Sequence, residues 1–259
     1  NGYSVFYLEA SINYNRTFDR HRVSAMFLYN QKSRRNFPMP KSDANDNSAA
    51  LESVPYRNQG IAGRMTYSFD DRYFVEGNFG YNGSENFSPG KRFGFFPSAA
   101  LGWVVSNEKF FGKWRNTVGI LKLRASYGKV GSDKIGADRR FIYYGTFESV
   151  NNAYNFGDSG NSYGGLRMGD IANNAVSWEE SLKFDAGIEL GLFNSLHIQA
   201  DYFNDHRRKM FMKRDDISWT AGVITLPWVN VGEMVNRGFD VEADYTKQIS
   251  KDFVISARG

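Results

Sequence analysis

The chain has 259 residues, 41% of them hydrophobic and 16% aromatic, with 26 Gly, 6 Pro and no Cys. The missing cysteine excludes a disulfide framework and thiolate chemistry, and a net charge of +4 from 32 basic and 28 acidic residues is too small and too scattered to mark a nucleic-acid surface. No apolar run reaches the ~18 residues of a membrane helix, which leaves open a barrel whose alternating strands average out as polar.

The predicted elements, in chain order, share one design. Asn1-Gly2-Tyr3-Ser4-Val5 has no basic segment leading into an apolar one, so no signal peptide is read there. Tyr3–Asn15 places Phe6, Leu8, Ala10, Ile12 and Tyr14 on one side of an extended strand. Val23, Ala25, Phe27 and Tyr29 share a face in the next. Ile61, Met65, Tyr67 and Phe69 oppose Arg64, Thr66 and Ser68, and Tyr73, Val75, Phe79 and Tyr81 oppose Glu76, Asn78 and Asn82. Phe96–Val105 is more continuously apolar, and Leu121, Leu123, Ala125 and Tyr127 oppose Lys122, Arg124 and Ser126.

The most regular element is Leu182–Leu192. Leu182, Phe184, Ala186, Ile188, Leu190 and Leu192 lie on one face, and Lys183, Asp185, Gly187, Glu189 and Gly191 on the other. The run is about twice the ~5–6 residues usual for a soluble strand and fits the ~9–11 of a membrane-spanning one. Slipping it by one residue would turn Lys183, Asp185 and Glu189 toward lipid, at about 2–4 kcal/mol for a mid-bilayer Lys and less for acids, so its register is strongly specified. Then come Leu196, Ile198, Ala200 and Tyr202 against His197, Gln199 and Asp201; Phe239, Val241, Ala243 and Tyr245 against Asp240, Glu242 and Asp244; and a strand at Phe253–Arg258.

Connections alternate in length. Thr17–Arg20, Asp70–Arg72, Phe193–Ser195 and Gln248–Asp252 are short turns, and Lys32–Pro55, Gly83–Lys91, Ser132–Ser177 and Asp205–Gly232 are long, Gly/Asn/Ser-rich loops. Ser106–Ile120 is too long for its place on the short side and is expected to form a small helix or lip. The pattern predicts an all-β fold: about ten antiparallel strands of an up-and-down transmembrane β-barrel. Leu182, Phe184, Ile188, Leu190, Leu192, Ile198 and Val241 are expected to face lipid, and Phe93, Phe95, Phe96, Trp103, Trp114, Tyr143, Tyr144 and Trp178 to form interfacial girdles. A soluble β-sandwich or lectin-like binding module alternates in the same way, but long strands and alternating loop lengths argue against it.

Several blocks resemble the SusC/RagA-like TonB-dependent outer-membrane transporters. Asp71-Arg72-Tyr73-Phe74-Val75-Glu76-Gly77 resembles that family's NRYFLEA strand start, Arg92-Phe93-Gly94-Phe95-Phe96-Pro97-Ser98 its RWGFFPS, and Leu101-Gly102-Trp103 its SLGW. Leu121-Lys122-Leu123-Arg124-Ala125-Ser126-Tyr127-Gly128 is similar to LKLRASYG, Gly187–Asn194 to GLDLGLFNN, and Asn230–Phe239 to NVGSMRNKGFE. Gly83-Ser84, Gly131, Trp178-Glu179 and Asp201-Tyr202-Phe203 also fall where the family has such residues, while the first seventy residues match only in general pattern.

The resemblance implies a barrel of about twenty-two strands enclosing an N-terminal plug, of which residues 1–259 would be a partial barrel domain in a longer polypeptide, the plug and TonB-binding segment being expected outside this chain. It implies TonB-dependent import of an oligosaccharide or peptide across the bacterial outer membrane, with a SusD-like surface lipoprotein as lid, TonB as the energy-coupling partner, and dimers of transporter–lipoprotein pairs. A passive porin, or a barrel in a secretion or assembly complex, is the alternative that the family blocks argue against.

The motifs point away from catalysis. Gly157-Asp158-Ser159-Gly160 imitates a serine-nucleophile motif but departs at Asn161, and its candidate partners His21, His197 and His206 are scattered, so no enzyme is read here. No cofactor motif is present; Asp215-Asp216 and the Asp43/Asp46 pair fit no calcium-loop spacing and read as solvated acids. Candidate substrate-contacting residues are Asp240, Glu242, Asp244, Arg64 and Arg124 on the lumen face, and Tyr154, Tyr163, Trp219 and Trp228, with Phe156, as loop aromatics suited to a sugar ring or a lid protein. His206-Arg207-Arg208-Lys209 is a basic cluster at the outer end of a strand, within reach of lipopolysaccharide phosphates.

Overall fold

The structure is a computed structural model; it describes residues 2–37, 53–134, 140–157, 160–218, 220, 222, 225–251 and 253–259. Among the described residues twelve strands form in chain order: β1 (Gly2–Phe18), β2 (His21–Phe37), β3 (Tyr56–Phe69), β4 (Tyr73–Ser84), β5 (Phe93–Val104), β6 (Val118–Ser132), β7 (Phe147–Phe156), β8 (Asn161–Met168), β9 (Glu179–Leu192), β10 (Leu196–Lys213), β11 (Trp228–Ser250) and β12 (Phe253–Arg258). Ten of them make one sheet in the order β1-β2-β3-β4-β5-β6-β9-β10-β11-β12. Each neighbour is antiparallel, and the sheet has two edges, β1 and β12. This is the expected meander, open rather than closed.

Register converts the alternation of single strands into rows that cross the sheet. Val23, Tyr67, Val75, Leu101, Ala125, Ala186, Tyr202 and Phe239 are successive cross-strand partners. The next row runs His21, Phe69, Tyr73, Trp103, Leu123, Ile188, Ala200 and Val241. Among the described residues nothing packs over these rows: Leu101 is 60%, Val241 68% and Phe239 78% exposed. The sheet therefore has no conventional core, and its apolar face requires a hydrocarbon solvent.

Local chemistry sets the short turns. Asp70 and Asp71 both take positive φ (54° and 50°), and Arg72 N–H donates to the Phe69 carbonyl at 3.0 Å. Two consecutive left-handed residues are the hairpin turn whose twist matches the strands, and Asp tolerates that conformation. Phe193 and Asn194, both at φ 53°, repeat the device between β9 and β10. The long link before β6 contains two 3-10 turns, Val105–Asn107 and Lys109–Lys113, which form the lip anticipated there.

Three expectations are corrected. The Ser132–Ser177 loop contains the β7–β8 hairpin, whose Gly- and Asn-rich strands hide their alternation. The Asp205–Gly232 loop is shorter than read, because β10 continues to Lys213 and β11 begins at Trp228. A bulge at Lys209 (φ 55°), with register shifts between Arg207 and Met210, carries the strand through its basic cluster. Not all the aromatics expected in the girdles lie on the apolar face of the sheet. His21, Phe69, Tyr73 and Trp103 make a ring ladder near the short-turn rim, with centroids 4.9, 6.5 and 6.3 Å apart. Phe93 and Phe95 stand on the same face toward the long-loop rim, opposite Gly83 and Tyr81. Phe96, Tyr143 and Trp178 are instead drawn into the outer loops, where Phe87, Ile142, Val176 and Trp178 form a buried cluster with Phe96, Phe211 and Trp228 against it. Trp114 and Tyr144 remain exposed.

Candidate functional site

The face opposite the apolar rows is built from alternate residues of the same strands. Arg124 on β6, Gly187 on β9 and Asp201 on β10 are successive register partners, and Asp240 on β11 lies opposite Asp201. Arg124 Nη2 donates to Asp201 Oδ2 at 2.6 Å, crossing the bare backbone of Gly187. A Cβ there would meet Asp201 Oδ1 at 1.9 Å and Arg124 Nε at 2.8 Å. Glycine at this position is thus the space through which two strands, otherwise separated, share an ion pair. Lys122 Nζ donates to Glu189 at 3.0 Å, and Arg124 Nη1 lies 3.4 Å from the same carboxylate. Gln199 Nε2 adds a 2.9 Å bond to Asp201.

Neighbouring parts of the wall repeat the arrangement. Arg64 Nη2 bonds Glu76 at 2.7 Å, and Asn78 Nδ2 donates to the same carboxylate at 2.8 Å. At the far edge, Arg258 of β12 pairs with Glu242 and lies 3.3 Å from Asp244. Asp240 forms no ion pair among the described residues and stands opposite another carboxylate. A concavity of about 580 Å³ opens on this face, lined by Arg124, Lys183, Asp185, Asp201, Asp205 and Asp240 among others. The polar wall is therefore mostly self-neutralised, with Asp185 and Asp240 left as acceptors facing open space.

The long-loop rim is a second, stiffer assembly. Arg140 donates to the Val54 and Pro55 carbonyls at 2.7 Å each and to Glu85 at 2.5 Å, and its guanidinium lies 3.7 Å from the Tyr56 ring centroid. One side chain thereby ties three connections together. Ser177 and Asn230 exchange two bonds of 2.9 Å, and Trp178 Nε1 donates to the Arg92 carbonyl at 3.1 Å. The β7–β8 hairpin springs from this base. Tyr154 and Tyr163 are cross-strand partners on it, 64% and 54% exposed, and Phe156 stands 6.2 and 5.7 Å from their rings.

Of the candidate residues, Asp240, Glu242, Asp244, Arg64 and Arg124 all lie on the polar face, although Arg64 sits several strands from the others. Tyr154 and Tyr163 come together; Trp228 does not join them. It begins β11 and stacks on Phe211 at 5.1 Å and 13°, half-buried in the rim. Trp219, Asp43, Asp46, Asp158 and Ser159 lie outside the described residues. Asp216 is held by Arg214 at 2.8 Å, which keeps its carboxyl below the usual range. Gly157 and Gly160 close the β7–β8 turn, whereas His21 and His197 begin strands at the opposite rim. Asp201, Gly187 and Arg140 were not singled out from sequence. The one available signal was Gly187, set between Asp185 and Glu189 on the charged face of a long strand.

Leu182, Phe184, Ile188, Leu190, Leu192, Ile198 and Val241 share the apolar face by register. An open meander of long strands, apolar on one face and charged on the other, defines a segment of transmembrane β-barrel wall. The family described as TonB dependent receptor-like, β-barrel matches residues 1–258, and the chain belongs to it. TonB-dependent receptor P3 of Formosa agariphila is 26% identical over 268 residues, covering 96% of this chain and 26% of that protein. TonB-dependent receptor SusC of Bacteroides thetaiotaomicron is 30% identical over 201 residues, covering 74% of this chain and 19% of that protein. The solved RagAB peptide transporter shares the fold, with a TM-score of 0.72 at 21% identity over 99% of this chain and 29% of that one. The SusC/RagA-like resemblance thus holds by sequence and by fold. The chain spans about a quarter of the length of the curated relatives it matches.

Proposed function

We propose that this chain forms part of the wall of a TonB-dependent importer in the bacterial outer membrane, carrying an oligosaccharide or peptide and catalysing no covalent chemistry. The observation that carries the reading is the unbroken division of the sheet: apolar rows cross eight strands on one face, and carboxylates and guanidinia occupy the other. Lipid on the first face and a hydrated lumen on the second satisfy both. Asp185 and Asp240 would offer acceptors to a polar cargo or to a plug, and a plug and TonB-binding segment elsewhere in the protein would couple transport to TonB.

The rim supports the partner reading. Exposed Tyr154, Phe156 and Tyr163 on a hairpin anchored by a buried cluster form a projecting aromatic surface suited to a SusD-like lipoprotein lid. Transporter–lipoprotein pairs would further associate as dimers.

Deleting the gene should abolish growth on one class of oligosaccharide or peptide, and loss of TonB should have the same effect. Single cysteines report the faces, since these 259 residues contain none. In the full-length protein, a probe at Ile188→Cys should be quenched by a lipid-soluble quencher, and Asp185→Cys should react with a water-soluble thiol reagent. Quenching of both or neither would overturn the membrane reading; growth unaffected by either deletion would overturn the import reading.

A further inference from the structure

The apolar face ends in cations at the long-loop rim. On β10, His206 lies opposite Leu182 and Arg208 opposite Glu180, so both continue the face that carries Phe184 and Ile188. Arg208 Nε approaches His206 Nε2 at 3.3 Å, consistent with a shared side. Arg237 of β11 lies opposite Asn204, is exposed, and forms no ion pair among the described residues. Lys129 of β6 lies opposite Leu182, its Nζ 3.8 Å from Glu180. Lys209, turned by the bulge, reaches the same Glu180 at 2.9 Å. Glu233, 3.9 Å from Arg208, is the other nearby acid. Arg207 departs from the sequence-level cluster: it lies opposite Ser181 and bonds Asp205 at 3.2 Å, on the polar side.

Four permanent cations, Lys129, Arg208, Lys209 and Arg237, thus meet two carboxylates. Their stems rise from a surface that demands hydrocarbon, while their heads need water or an anion, so they snorkel to the level where lipid headgroups lie. A guanidinium matches a phosphate with two parallel hydrogen bonds. Arg208 and Arg237 are offset by four residues along the strands, about 14 Å between backbones, a gap that two long side chains can close around one headgroup. We propose that Arg208 and Arg237, flanked by Lys129 and Lys209, bind the phosphorylated headgroup of an outer-leaflet lipid. The proposal rests on the outer-membrane reading above.

The test uses the full-length protein extracted from its own membrane in mild detergent. Binding is titrated with micelles doped with phosphorylated lipid A, with dephosphorylated lipid A, and with inorganic phosphate alone. Wild type should bind the phosphorylated lipid, and binding should weaken at least tenfold in R208Q/R237Q and several-fold in R237Q alone. R208K/R237K should recover part of the loss, and Arg214→Gln, in a loop beyond the strand, should bind as wild type. Equal binding by wild type and R208Q/R237Q overturns the site, as does displacement of the lipid by an equal concentration of inorganic phosphate. Recovery of wild type in the aqueous fraction would instead overturn the membrane reading beneath it.

Discussion

Arg124 and Asp201 stand on strands that are not neighbours, yet their side chains meet at 2.6 Å across the unoccupied Cβ position of Gly187. The pair locks β6 to β10 over the back of β9 and offsets the repulsion between Asp201 and the Asp240 carboxylate opposite it. Neutralisation inside the wall thereby depends on a residue with no side chain.

Gly187→Ala should break this arrangement. The added methyl would fall 1.9 Å from Asp201 Oδ1, so the carboxylate must leave. A loss of about 0.2–1 kcal/mol, the worth of a part-exposed ion pair, is expected in urea unfolding of the refolded barrel. Unchanged stability would show that Arg124 and Asp201 do not use that space.

The two faces of β9 should answer oppositely to substitution. Ala186 lies halfway along the strand, between Ala125 and Tyr202 on the apolar face. Ala186→Arg should cost about 2–4 kcal/mol in a bilayer. Asp185→Asn, one residue away on the polar face, should stay within about 0.5 kcal/mol. The same urea titration in lipid vesicles measures both, and equal costs would contradict the assignment of faces.

Acid should loosen the short-turn rim through Glu108. It lies in the link before β6, outside the spanning strands, and is buried. The Tyr73 hydroxyl donates to it at 2.6 Å, with Trp103 Nε1 and Arg72 at 3.2 and 2.9 Å, and these contacts hold its carboxyl below the ordinary 4.5. A depressed folded value means the contribution is complete above pH 4.5 and disappears as pH falls through the folded value. The stability difference between wild type and Glu108→Gln should therefore be constant near neutrality and shrink below pH 4.5. A difference independent of pH would remove Glu108 from that role.

Arg140→Ala should free the outer loops without opening the sheet. Its side chain is 10% exposed and that of Glu85 18%, so the substitution strands a largely buried carboxylate and two carbonyls. Each lost bond to a charged group is worth about 1.5–3 kcal/mol. Limited proteolysis should cut the rim faster while strand content, followed by circular dichroism, is retained. Loss of both together would mean that the rim and the sheet fold as one unit.

Much of this fold is legible in the sequence. Leu182–Leu192 announces its two faces because strand side chains alternate with a period of two, and a barrel wall reads that period directly. The short turns were legible for a similar reason, since Asp70-Asp71 and Phe193-Asn194 punctuate uninterrupted alternation. The β7–β8 hairpin was not, because Gly164, Gly165, Asn151 and Asn152 erase the apolar rhythm that marks a strand.

The sequence alone determined which face of each strand in the large sheet is apolar, where its short turns fall, and which family the chain belongs to, because these are properties of neighbours along the chain. Only the tertiary structure decided that Arg124 finds Asp201, that Arg140 gathers three connections, that Phe96 and Trp178 leave the girdle for the rim, and that Arg207 parts from Arg208. Those outcomes depend on register between strands and on the space left by a glycine on the strand between them. Both are fixed by packing across the sheet, and no local pattern of residues encodes them.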